Sequence, residues 1–122
     1  MFVRFVVGAD DEDHRLLNGL VSEARFLRDR NELTAAEEEL LEATYAWLNT
    51  NLPCPPFAGS GWSKNAVAWF KDGAIKPIQQ MRILAALLTQ HERPVRMLRS
   101  RNPGKVLYVD RFQVVVEEWK RL

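Results

Sequence analysis

The chain has 122 residues, 47% of them hydrophobic and 27% charged, with a formal net charge of +1. That length and composition fit one globular domain with its own core and exclude a disordered or fibrous chain. No apolar run approaches the roughly 18 residues that span a bilayer, the N-terminus lacks the plan of a secretory signal, and Cys54 is the single cysteine, so the expectation is a soluble cytoplasmic protein without internal disulfides.

Residues 2–7, FVRFVV, form the first predicted element. The run is short and rich in Val and Phe, which marks a strand, and both alternating faces are mostly apolar, which places it inside a sheet. Asp10, Asp11, Glu12 and Asp13 follow. Carboxylates favour the positive end of a helix, so a helix is predicted from about Asp11 to Arg30. Leu16, Leu17, Leu20, Val21, Ala24 and Leu27 would form its apolar face, and Arg25, Arg28 and Arg30 would sit at its negative end.

Thr34-Ala35-Ala36-Glu37 has the pattern of a capping box and opens a second helix. Leu40, Leu41, Thr44, Tyr45 and Leu48 give its inner stripe, while Glu37, Glu38, Glu39 and Glu42 point outward. The short connection predicts an antiparallel helical hairpin. Residues 52–62, LPCPPFAGSGW, contain three prolines and two glycines and predict a long loop. SKNAVAWFKD is then expected as a short helix capped by Ser63 and stopped by Gly73. Lys76-Pro77 starts a fourth helix, with Ile78, Met81, Leu84, Ala85 and Leu88 on its apolar face.

The remainder reads as three strands over 95–99, 105–109 and 112–118. Asn102-Pro103-Gly104 is expected to turn the first pair and Asp110-Arg111 the second. The first strand needs a ladder partner and finds it in this meander. The predicted fold is α+β, in the order β-α-α-α-α-β-β-β, with a mostly antiparallel sheet of about four strands covered by helices.

The two halves differ in charge. Residues 1–60 carry five Arg against eleven Asp and Glu, a net of −6, and residues 61–122 carry twelve Lys and Arg against five Asp and Glu, a net of +7. Such a split either neutralises itself inside the fold or leaves a charged surface for a partner.

No complete catalytic set is visible. Cys54 with His91 is the only thiol–imidazole combination to weigh, and nothing near either residue supports it. The Asp10–Asp13 cluster with His14 lacks the glycine turn and distal Glu of a calcium loop, and the chain has no zinc-ligand set. GSGWSK at residues 59–64 is too short for a phosphate loop. The sequence therefore leans away from an enzyme and implies neither a metal nor a cofactor.

Two surfaces remain. Phe57, Trp62 and Trp69 are aromatics placed on a loop and a helix, where they would serve a protein partner. Arg96, Arg99, Arg101 and Lys105, after Arg93, form a basic run that could bind nucleic acid or another phosphate ligand, although strand alternation puts Arg96 on a different face from Arg99 and Arg101. A homodimer through a free sheet edge is a further expectation.

The segments 67-VAWFKD-72 and 94-PVRMLRSRNPGKVLYVDRFQVVVEEW-119, with the opening FVRFVVG, resemble a loose group of small bacterial proteins that share these motifs in this order. The resemblance covers most of the chain and implies a stand-alone domain. That group has no known activity, so no functional residue is carried over. The leading expectation is a non-enzymatic protein-binding domain, with nucleic-acid or phosphate binding as the alternative.

Overall fold

A six-residue strand cannot bury its faces alone, and the chain solves this by folding helices onto one side of a sheet. The computed structural model describes residues 1–8, 19–63 and 65–119. The expected Asp10–Asp13 helix cap, with His14, Leu16, Leu17 and Lys64, lies outside the described residues. Within them the elements are β1 (Phe2–Val7), α1 (Leu20–Asp29), α2 (Ala35–Asn51), β2 (Ala66–Lys71), α3 (Ile75–Gln90), β3 (Val95–Ser100), β4 (Gly104–Val109) and β5 (Gln113–Glu118). The fold is α+β, with three helices and a five-stranded antiparallel sheet among the described residues, in the order β3-β1-β2-β5-β4.

Two expectations need correction. AVAWFK is not a helix but strand β2, paired with β1 on one side and β5 on the other. Its Val, Trp and Phe content suits a pleated surface, and Trp69 and Phe70, which could not share one helix core, point to opposite faces of a strand. Secondly, Asn102-Pro103-Gly104 does not turn a hairpin. β3 pairs only with β1, β4 pairs only with β5, and the two lie at opposite ends of the sheet order.

Alternation then sorts the side chains. Val3, Phe5 and Val7 face the helices and pack with Leu20, Ala24 and Leu27 of α1, Leu41 of α2, and Leu84, Leu87 and Leu88 of α3. Each fully buried leucine contributes about 1.5–3 kcal/mol. The predicted stripe of α3, and that of α1 from Leu20 onward, are thus observed, whereas Leu40 and Tyr45 of α2 are exposed and only Leu41, Thr44 and Leu48 turn inward. The capping box is present, with the Glu37 amide donating to Thr34 Oγ1 (3.1 Å) and the Thr34 amide to Glu37 Oε1 (2.9 Å). Phe2, Trp69, Val67, Val114, Val116 and Leu98 form a second apolar cluster on the opposite face.

That second face is closed by curvature. Three residues, Arg101 to Pro103, join β3 to β4. Four chain steps reach at most about 14 Å, whereas two strands four places apart in a flat sheet lie about 19 Å apart. The sheet must therefore coil. The β1–β2 ladder holds only at Phe2–Lys71 and Val3–Phe70 and then opens. Arg4 of β1 reaches across to Glu118 of β5, at 3.1 Å, and Trp119 Nε1 donates to the Asn102 carbonyl at 3.2 Å. Gly104 is required by close approach, because a Cβ there would overlap the Glu117 carbonyl.

Candidate functional site: the cleft at the β3–β4 link

Where the coiled sheet fails to close, a cleft of about 370 Å³ remains, lined by Trp69, Leu98, Arg99, Ser100, Asn102, Pro103, Glu118 and Trp119. Each group arrives there for a local reason. Trp69 lies in mid-strand opposite Val114 and is buried, and its Nε1 has no acceptor among the described residues. Leu98 faces inward from β3. Trp119 lies just past β5 and is 58% exposed, with its N–H committed to Asn102. The bond fixes the ring while leaving its faces available.

The electrostatics of the cleft are set by pairing. Glu118 and Arg4 form a largely buried ion pair. Burial pulls the Arg4 guanidinium below its usual range and Glu118 opposes that pull, but arginine stays charged and the pair is neutral as a unit. Arg99 and Arg101 are exposed, and neither has an ion-pair partner among the described residues. Arg99 lies opposite Val3, so its side chain leaves β3 on the helix-bearing face, opposite the face from which Leu98 enters the cleft.

The basic run is dispersed by the fold. Arg93 pairs with Glu23 of α1 at 3.4 Å. Arg96 donates from Nε to the Gly8 carbonyl at 3.2 Å. Lys105 lies on β4, directly across from Glu117. Arg101 belongs to the link rather than to a strand, so only Arg99 and Arg101 remain near one another, at the end of β3.

The aromatic trio is divided as well. Phe57 and Trp62 meet edge to face at 5.5 Å, and Trp62 rests on Tyr108 at 6.1 Å. They belong to the loop that covers the helix-bearing face of β4 and β5, where the Gln113 side chain also donates to the Pro53 carbonyl. Trp69 is on the other face of the sheet, so the structure does not bring it together with Phe57 and Trp62. It is a buried strand residue rather than an exposed helical one, because β2 places it against Val114 and Val116.

A Cys54–His91 pair is excluded by geometry. His91 contacts Glu37 at 2.7 Å, near the start of α2, whereas Cys54 lies beyond the other end of that helix. The turns from Glu37 to Asn51 separate them by about 20 Å. No group of three or more metal-ligating side chains occurs among the described residues.

Sequence reasoning passed over Arg4, Leu98, Glu118 and Trp119 as site residues. The available signal was Trp119 itself, a large aromatic placed after two glutamates at the end of an apolar strand. Its meeting with the β3–β4 link depends on sheet coiling, which no local pattern encodes. The chain matches none of the protein families, curated proteins or solved structures against which it was compared. Among the described residues, no helix is long and apolar enough to cross a membrane.

Proposed function

We propose that this chain is a small binding domain for a phosphate-bearing ligand, held at the end of β3 and the β3–β4 link. The observation that carries this reading is the pair of exposed arginines, Arg99 and Arg101, which have no ion-pair partner among the described residues. The two residues stand two positions apart, so about 7 Å of extended backbone separates them. That spacing suits contact with two phosphates of one chain.

The test is salt-dependent binding of inorganic polyphosphate and of a single-stranded oligonucleotide. Two phosphate contacts on a single strand give a log–log slope of about −1.4, which is about a sevenfold loss of affinity between 50 and 200 mM salt. Replacing either Arg99 or Arg101 by Ala should lower the slope by about 0.7. Binding that is absent at low salt, or indifferent to both substitutions, overturns the proposal.

A second reading, a protein partner at the 53–62 loop, is favoured by Phe57, which is 46% exposed while braced against Trp62. Under that reading Phe57→Ala abolishes capture of the partner without altering polyphosphate binding.

A further inference from the structure

The sheet edge that carries Arg99 offers free backbone as well as charge. Among the described residues β3 pairs with β1 alone and ends the strand order. The Gly8 amide donates to the Pro94 carbonyl at 3.0 Å, one step beyond the Val7–Val95 pair. By antiparallel alternation the other ladder bonds to β1 then fall at Arg96, Leu98 and Ser100. The N–H and C=O groups of Val95, Met97 and Arg99 therefore point away from β1, to the open edge. Resting on the phosphate reading above, we infer that this edge takes an extended phosphorylated peptide, which adds to β3 as a further strand and sets its phosphate on Arg99.

The register puts what such a peptide needs on one face. Val95, Met97 and Arg99 lie opposite Val7, Phe5 and Val3, so their side chains share the helix-bearing face. Ala85, Ala86 and Thr89 of α3 stand across from Val95 and Met97, and these small side chains leave a groove of about 270 Å³ between helix and strand. Arg82 borders the same groove and donates from Nη2 to Met97 Sδ at 3.8 Å. Arg82 and Arg99 are exposed, and neither has an ion-pair partner among the described residues. Main-chain groups at the edge give an added strand its affinity, and the groove and cations select its alternate side chains.

Antiparallel addition, the pairing used throughout this sheet, fixes the peptide's pattern. A phosphorylated residue opposite Arg99 is followed, two and four positions on, by apolar residues opposite Met97 and Val95, whose side chains enter the groove. The phosphate accepts charge-assisted hydrogen bonds from the Arg99 guanidinium. A second copy of β3 at this edge would bring the Arg82 and Arg99 side chains of both copies to one face, and like charges oppose that pairing. A nucleic-acid strand has no amide backbone to meet the open N–H and C=O groups, whereas a phosphopeptide has.

The experiment measures the full chain's affinity for a labelled synthetic peptide containing phosphoserine-Thr-Val-Thr-Val, for its unphosphorylated form, for N-methylated forms of the phosphopeptide and for inorganic polyphosphate. The phosphopeptide should bind about tenfold or more tightly than the unphosphorylated form, and Arg99→Ala should erase that preference. N-methylation at both Val residues removes amides that face β3 and should weaken binding about tenfold or more, whereas N-methylation at both Thr residues, whose amides face away, should change it less than about twofold. Met97→Pro removes an outward N–H without breaking the ladder to β1 and should weaken phosphopeptide binding about fivefold. Equal effects of the two methylation patterns overturn strand addition, and equal binding of the unphosphorylated peptide overturns the phosphate contact at this edge. A free chain that light scattering shows as a dimer, dispersed by Met97→Pro, assigns the edge to a second copy and overturns the peptide site. If polyphosphate binds and the phosphopeptide does not, the peptide site falls while the phosphate reading stands. If no probe binds, both are overturned.

Discussion

Asp110 turns β4 into β5, and all its acceptor capacity is used. Its Oδ1 takes the amides of Phe112 (2.8 Å) and Gln113 (2.9 Å), and its Oδ2 takes the Tyr108 hydroxyl (2.9 Å) and the Gln113 side-chain amide (3.2 Å). Burial alone would raise its pKa, but the donors outweigh it and hold the carboxyl below its ordinary range. A depressed carboxylate pKa contributes stability that is present above the unfolded value and is lost as pH falls through the folded one. Asp110→Ala should therefore lower stability at neutral pH by about 1–3 kcal/mol and lessen the dependence on pH below about 4, as followed by denaturant titration across pH. A smaller loss at neutral pH than at pH 3 would contradict this account. Trp69 poses the opposite problem, since its indole N–H is buried without an acceptor. Trp69→Phe removes the orphan donor and keeps most of the ring, so its stability should stay within about 1 kcal/mol of the parent, whereas Trp69→Ala should cost about 3–5 kcal/mol. Equal losses in the two variants would show that the indole N–H does have a partner.

At the scale of elements, what could be read from the sequence divides by the kind of information each element uses. The interior β1, the Thr34 capping box and the α3 stripe are specified by residues within a few positions of each other, and each was legible. β2 was not, because AVAWFK satisfies a helical stop at Gly73 and a strand alternation equally well, and only the ladder partners Val114–Val116 decide between them. The cleft was legible only in its parts. Arg99 and Arg101 were visible as charge, but their separation from Arg93, Arg96 and Lys105 follows from pairings made elsewhere in the fold. Gly104 illustrates the same limit. It looks like a turn glycine, yet the structure needs it because β4 enters against the Glu117 carbonyl. Gly104→Ala should destabilise by about 2 kcal/mol or more, the range of overpacking against backbone that cannot relax. Thermal melting would check it, and an unchanged midpoint would mean that β4 can shift at no cost.

For the whole molecule, the opposed charges of the two halves are partly joined by the fold itself. Glu23 of the acidic half meets Arg93 of the basic half, and Glu37 shares a hydrogen bond with His91, whereas Arg4–Glu118 joins the minority charge of each half. The neutralisation expected from the charge split is thus seen at Glu23–Arg93. Arg99 and Arg101, at the end of β3, have no ion-pair partner among the described residues, and they rather than the net charge carry the proposed contact. The predicted salt slope is correspondingly shallow, as befits two cations and not the six to ten of an extended nucleic-acid groove.

The strand order β3-β1-β2-β5-β4 also bears on how the chain is made. β1 precedes its full ladder partner β3 by about ninety residues, and β2 must wait for β5 at residues 113–118. Helices α1 to α3 can form from local contacts while these strands still lack their main partners. Sheet closure is therefore a late, long-range event set by loop-closure entropy. Until residues 95–100 have been synthesised the apolar FVRFVV segment lacks its full ladder partner, and a nascent chain that stalls before β5 leaves AVAWFK as an unprotected edge open to aggregation.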